Sequence, residues 1–390
     1  MTIVAKDGSA PRDARLMLLM LGIAAVGVQA LMLSPLLTDI AATLHAGARE
    51  IGFASAAYGI GVALAALSAA PRLGAWEKRN ALRLAFLVMA VGLSICALSW
   101  DWRVLVVGQA VTGLAAGVII PGTYAFTAEI SPADRRSQAI GRVLFGWSVA
   151  MVGGVPLAAL LSAWIDWRGI FLSVGGLSFA MALVIGLLPR GSVVPSVQST
   201  SYRTALSVPG ALMGLAATFC YMIGFYQTYT FIGDHVRAVH GAGAWLGGLI
   251  SLAYGIGFGA GVIFDKWIDR TGPGRVMAGA LFLVGLNYAV LPLAVSHVWT
   301  TATYPFFWGL ANHLCMTSLV AYLGQAPVEK RGTIMGLFSF ITYVAVGVGG
   351  ATYGTVYDHF GFVAVSLAAT ATLWVGAIAV LLFRPRQPLG

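Results

Sequence analysis

A chain of 390 residues that is 59% hydrophobic and only 9% charged, with mean hydropathy +0.86, cannot be an ordinary soluble globule, whose charged fraction is about 25%. Its net charge of +9 and pI near 9.7 exclude a nucleic-acid surface on pattern, because the basic residues are scattered through short loops and form no stripe. Cys96, Cys220 and Cys315 fall inside apolar runs at no metal-type spacing, and no P-loop or nucleophile elbow is present, so neither an enzyme nor a cofactor is expected.

In chain order, a polar Met1–Arg15 precedes an apolar run to Leu37 that is too long for a signal-peptide core of about 7–15 residues. A helical crossing needs about 20 apolar residues. On that measure spans are expected near 16–37, 50–70, 81–99, 103–129, 137–163 and 168–188, then near 207–232, 243–265, 274–296, 298–324, 332–356 and 362–383. Residues 189–206, with Ser, Pro, Thr and Gln, read as a linker. The expected fold is therefore all-α, twelve transmembrane helices in two pseudo-symmetric six-helix halves, 1–188 and 207–390. An even number of spans puts both termini on one side. Only Arg49, Arg103, Arg168 and Arg237 of the 23 basic residues fall in the opposite loops, so the positive-inside rule makes the termini and the linker cytoplasmic.

The halves carry an internal repeat. Asp39 and His45 precede Ala57-Tyr58-Gly59-Ile60-Gly61, and Asp234 and His240 precede Ala253-Tyr254-Gly255-Ile256-Gly257. The loops Pro132-Ala133-Asp134-Arg135-Arg136 and Pro327-Val328-Glu329-Lys330-Arg331 also match. After the eighth span comes Asp269-Arg270-Thr271-Gly272-Pro273-Gly274-Arg275, with a degraded copy at Arg72-Leu73-Gly74 to Arg79. A carboxylate at such a turn can pair across the bundle and latch one side shut. Gly153-Gly154-Val155-Pro156-Leu157 in the fifth span lets helices approach and kink, and Asp166-Trp167-Arg168-Gly169-Ile170-Phe171 opens the sixth.

Together these features resemble the major facilitator superfamily, and the Gly-Val-Pro-Leu stretch with Trp-Arg-x-x-Phe resembles the sugar and drug efflux branch of its drug/proton antiporters. The resemblance implies a secondary transporter in a bacterial cytoplasmic membrane that works by alternating access as a monomer. It would export a small amphipathic or sugar-like solute against protons. Its gating residues would be Asp269, Arg270, Arg275, Arg79, Gly154 and Pro156. One departure leaves an alternative open: the fourth span reads Val107-Gly108-Gln109-Ala110-Val111-Thr112-Gly113, without the embedded Arg of that branch. An importer or facilitator of a neutral or weakly acidic metabolite fits that departure.

Embedded polar groups supply the candidate site. Every acid falls in a loop or at a span end, so His313 is the deep ionisable group and the main candidate for proton coupling, with Asp39 and Asp234 behind it. Gln29, Tyr58, Tyr124, Trp147, Tyr226, Gln227, Tyr229, Asn312, His313 and Tyr343 form the expected substrate-binding lining, suited to stacking on and hydrogen-bonding a small molecule.

Overall fold

The computed structural model describes residues 12–68, 77–132, 135–188 and 201–383. It is all helical, as the composition demands, because in hydrocarbon each backbone polar group must be satisfied within its own segment or a closed barrel. The first span is built from α1 (Arg12–Leu31) and α2 (Leu33–Thr43), and it runs farther than expected. The second to fourth are α3 (Ala48–Ser68), α4 (Lys78–Ala97) and α5 (Trp102–Ile130). The fifth climbs through α6 (Arg136–Leu144), α7 (Gly146–Val149) and a π-helical turn, Ala150–Gly154, into α8 (Val155–Gly186). The π turn ends two residues before Pro156, the residue that cannot supply a backbone N–H to the helix.

Helix α8 holds both the end of the fifth span and the sixth. Its chain reverses at Asp166, whose φ of 58° is left-handed and whose carboxylate accepts the Trp167 N–H at 2.6 Å. The short α9 (Tyr202–Leu206) falls within the expected linker, the rest of which lies outside the described residues. The seventh span is α10 (Ala211–His240). The eighth is α11 (Trp245–Ala260), a 3-10 turn Gly261–Phe264 and α12 (Asp265–Thr271). The ninth and tenth are α13 (Pro273–Ala294) and α14 (Val298–Gly324). The eleventh and twelfth share α15 (Val328–Phe383), reversed at Gly361 with φ 74°. Twelve crossings result among the described residues, which is the expected number. One expectation is corrected here: the eighth span does not end at Asp265, and the Asp269–Arg270 turn is not a loop, since helix continues to Thr271 and the chain turns at Gly272.

The repeat has a packing reason. In the first six spans a methyl placed on Gly61 would sit 2.6 Å from the Ala110 carbonyl oxygen, and one on Gly113 would collide with the Tyr58 carbonyl. In the last six, Gly257 lies in the same way on the Phe306 carbonyl and Gly309 on that of Tyr254. The Tyr-Gly-Ile-Gly signature is thus where the second span of each half touches the fourth backbone to backbone, which only glycine permits.

Helices of the first six spans meet those of the last six along α2 with α10, α3 with α15, and α8 with α11. Trp100, Trp164 and Trp299 stand exposed at the end of the bundle away from the termini, here the far end, where an interfacial aromatic belt belongs. At the opposite, terminus end, Lys78 and Glu129 form a mostly buried ion pair at 2.9 Å that ties α4 to α5.

Candidate functional site

Between the two sets of six spans lies a small cavity lined by Gln29, Ser34, Ser55, Tyr58, Gln109, Tyr226 and Tyr229. Its free space is about 10 Å³, room for about one water. The first span places Gln29 here, and α5 places Gln109, whose Oε1 accepts the Gln29 Nε2–H at 2.8 Å; the same amide reaches Thr112 Oγ1 at 3.2 Å. Gln109 is the polar group of the fourth-span stretch in which no arginine occurs. The Gln29 Oε1 and the Tyr58 hydroxyl are buried and have no partner, so one acceptor and one donor-acceptor face the same space. Tyr343 stands edge-on to Tyr58, with ring centroids 6.4 Å apart. The Trp147 indole donates to the Tyr124 hydroxyl at 3.3 Å, bridging the fifth span to the fourth. Among the described residues, no acid or base other than tyrosine lines the cavity.

Gln29, Tyr58, Tyr226 and Tyr229 therefore line the cavity together, whereas the six other expected lining residues, Tyr124, Trp147, Gln227, Asn312, His313 and Tyr343, do not. Gln227 turns toward α15, where its Nε2 reaches the Val346 carbonyl at 3.5 Å over the space left by Gly349. Asn312 donates to the Trp308 carbonyl of its own helix at 2.9 Å, and its backbone carbonyl accepts the Tyr221 hydroxyl at 3.3 Å. Both belong to the packing of the last six spans, around an aromatic cluster in which Trp308 lies 4.9 Å from Tyr254 and 5.8 Å from Tyr288. His313 also lies away from the cavity, and it is not alone. Its Nε2 is 2.9 Å from Asp265 Oδ1, a partner missed in the sequence because Asp265 was read as a span end.

Above the cavity, the far end is shut by polar contacts between the two sets of spans. Arg237 on α10 grips Asp39 on α2 with two hydrogen bonds of 2.7 and 2.8 Å. Thr38 donates to Asp234 at 2.7 Å, and the Asp234 carboxylate also accepts from Tyr357 at 2.6 Å. The Ser34 hydroxyl donates to the Tyr229 carbonyl, and the Arg49 N–H to Asp358 at 3.3 Å. Asp39 and Asp234, the anchors of the repeat, thus each hold the opposite half.

The expected gating residues at the terminus end are apart. Asp269, Arg270 and Arg275 are exposed and form no ion pair among the described residues. Arg79 donates to the Leu188 carbonyl at 2.9 Å and lies 3.4 Å from Glu77, all within the first six spans; the copy at Arg72–Gly74 lies outside the described residues. Gly154 leaves room for Val28, and Pro156 packs on Gly248 of the eighth span, whose Cβ position is 3.2 Å from it.

A family model described as Major Facilitator Superfamily matches residues 19–350. An uncharacterized MFS-type transporter of Bacillus subtilis, YwfA, is 30% identical over 368 residues, covering 92% of this chain and 89% of the relative. Two crystal structures of a bacterial homolog to the human lysosomal transporter Spinster share the fold. The inward-facing and unoccupied one has TM-score 0.74 and 15% identity over 96% of each chain. The inward-facing and occupied one has TM-score 0.76 and 16% identity, covering 96% of this chain and 97% of that one.

Proposed function

The chain belongs to the Major Facilitator Superfamily, and from that premise we propose that this multi-pass membrane protein exports a small uncharged or amphipathic solute by alternating access, in exchange for protons. The observation that carries the reading is the clasp on one side: among the described residues, Arg237–Asp39, Thr38–Asp234 and Arg49–Asp358 join the first six spans to the last six at the far end, over an uncharged cavity with unpartnered Gln29 and Tyr58 groups. Basic residues crowd the terminus end, which supports a cytoplasmic position for it under the positive-inside rule; on that reading the state described is inward-facing, as in the two structures of the Spinster homolog. Each half, 1–188 and 207–390, would rock as a unit about the cavity.

Amides and tyrosines can hydrogen-bond and stack on a solute, and the absence of a lining charge disfavours a fully ionic one. Asp39 and Asp234 are engaged in the far-end clasp, so we assign them to gating and assign proton coupling to His313. The Asp269–Arg275 turn would latch the cytoplasmic side in the outward-facing state.

Counterflow in liposomes with a panel of neutral, amphipathic and weakly acidic solutes tests this. At least one solute should exchange, and Tyr58→Phe or Gln29→Leu should cut that exchange about tenfold or more, equivalent to about 1.4 kcal/mol. Exchange indifferent to both variants would move the site elsewhere. Exchange without accumulation under a pH gradient would favour the facilitator.

A further inference from the structure

A second cavity opens at the terminus end of the first six spans, between α1 and α6. It is lined by Asp13, Leu16, Arg135, Gln138, Ala139 and Arg142 and holds about 240 Å³, against about 10 Å³ for the cavity between the halves. That is room for a molecular group rather than for one water. Leu16 and Ala139 are buried and form the floor, whereas Asp13, Arg135, Gln138 and Arg142 stand exposed at the rim. The walls are fixed by close packing farther along the same two spans, where Gly146 lies on the Met20 carbonyl and Gly27 on Ala150. Both walls belong to the first half, so the pocket does not depend on how the halves move or on the transport reading.

The rim continues into an apolar, outward face. Trp147 bonds Tyr124 of α5 and so points to the inside of the bundle. Phe145, two positions earlier, is turned from it by roughly 200°, and it is exposed. Residues 138, 142 and 145 are spaced to share one helix face. On α1, Met17 and Leu21 are exposed one and two turns beyond Asp13. Charges at the mouth with exposed apolar side chains directly below them mark the depth at which a bilayer changes from headgroup to hydrocarbon.

The charges at the mouth are mixed. Arg142 Nη1 donates to Asp13 Oδ1 at 3.1 Å, an ion pair too exposed to hold much by itself. One such bond leaves a guanidinium further donors and a carboxylate further lone pairs. Two guanidiniums and an amide suit a phosphate, whose oxygens match the planar fork of arginine. The carboxylate beside them repels a plain anion and suits a cation carried by the same molecule.

We propose that this pocket binds one membrane phospholipid whose headgroup joins a phosphate to a primary ammonium, the phosphate on Arg135, Gln138 and Arg142 and the ammonium on Asp13. The acyl chains then run along Phe145 and Met17. A primary ammonium brings three donors to the carboxylate. A trimethylated one brings none, and a glycerol headgroup brings no cation. A soluble phosphate leaves both Asp13 and the apolar face unanswered.

Native mass spectrometry of the full chain in detergent, titrated with lipids of identical acyl chains and ethanolamine, choline or glycerol headgroups, counts bound lipid directly. One ethanolamine lipid should bind about tenfold more tightly than its choline analogue, and Arg135→Gln or Arg142→Gln should each weaken it by about tenfold. Arg203→Gln, at another exposed arginine of the terminus end, should leave it unchanged. Asp13→Asn should abolish the preference for ethanolamine over choline while phospholipid still binds. All four side chains are exposed, so the variants should unfold at the parent's temperature in lipid-free detergent, which separates lost binding from lost folding. Equal affinity for the three headgroups would overturn the site, as would a preference that survives Asp13→Asn. So would a loss on Arg203→Gln as large as on Arg142→Gln, or displacement of the lipid by inorganic phosphate, which would mark a soluble-anion site. Lipid that binds only once residues 1–10 are deleted would give the pocket to the chain's own N-terminal segment and overturn the proposal too.

Discussion

Gln109 shows how one amide sets the character of the cavity. It accepts from Gln29 across the first and fourth spans, so Gln109→Leu should leave a buried amide N–H unpaired and cost about 1–3 kcal/mol, read as a lower unfolding temperature in detergent. Unchanged unfolding would mean that Gln29 re-pairs with Thr112 alone. The cavity was partly legible in the sequence, because a Gln or Tyr inside an apolar run needs a polar reason. Helical phase was not. Gln227 directly follows Tyr226, and a one-residue step turns a side chain by about 100°, enough to move it from the cavity to the α15 interface. Gln109 carries no charge, so nothing in its type marks it out within the fourth-span run.

At the scale of helices, the glycine contacts under the repeat make a graded prediction. Gly113→Ala and Gly309→Ala would push a methyl into the Tyr58 and Tyr254 carbonyls and should each destabilise by roughly 1–3 kcal/mol. Gly176→Ala and Gly279→Ala, with nothing within 4 Å, should be neutral or stabilising by up to about 1 kcal/mol. Thermal unfolding of the four variants checks this, and equal effects across them would refute the backbone contact. The number of spans was legible from hydropathy; that the repeated Tyr-Gly-Ile-Gly marks the packing of the second span on the fourth was not. The end of the eighth span was not, since Asp265 and Asp269 look like loop residues until their helix is seen to run on to Thr271. That single boundary concealed the partner of His313. Reversal points within α8 and α15 were legible, since the gaps expected at 164–167 and 357–361 contain Asp166 and Gly361, the residues that make the turns.

For the whole molecule, the proposed gate is the far-end clasp of Arg237 on Asp39. Arg237→Ala should release Asp39 and raise labelling of a cysteine at Ser55, in the cavity wall, by an impermeant reagent added outside cells. Labelling that stays at the parent level would show that the clasp does not hold the far end. A cysteine at Asp101 should be labelled from outside and one at Thr204 should not, if the terminus end is cytoplasmic; the reverse pattern would invert the topology. The same clasp bears on ancestry. Asp39 and Asp234 occupy matching places in the repeat, but the counterpart of Arg237 is Ala42. A pair of identical six-span units joined as these halves are would have brought two carboxylates to one seam with no guanidinium between them, and like charges there favour an open mouth. An arginine gained in one copy alone turns that repulsion into a grip, a change no symmetric pair could make without acquiring it twice. In a single chain the two copies are free to differ, and Arg237 against Ala42 is such a difference, one residue placed where the two carboxylates meet the opposite half.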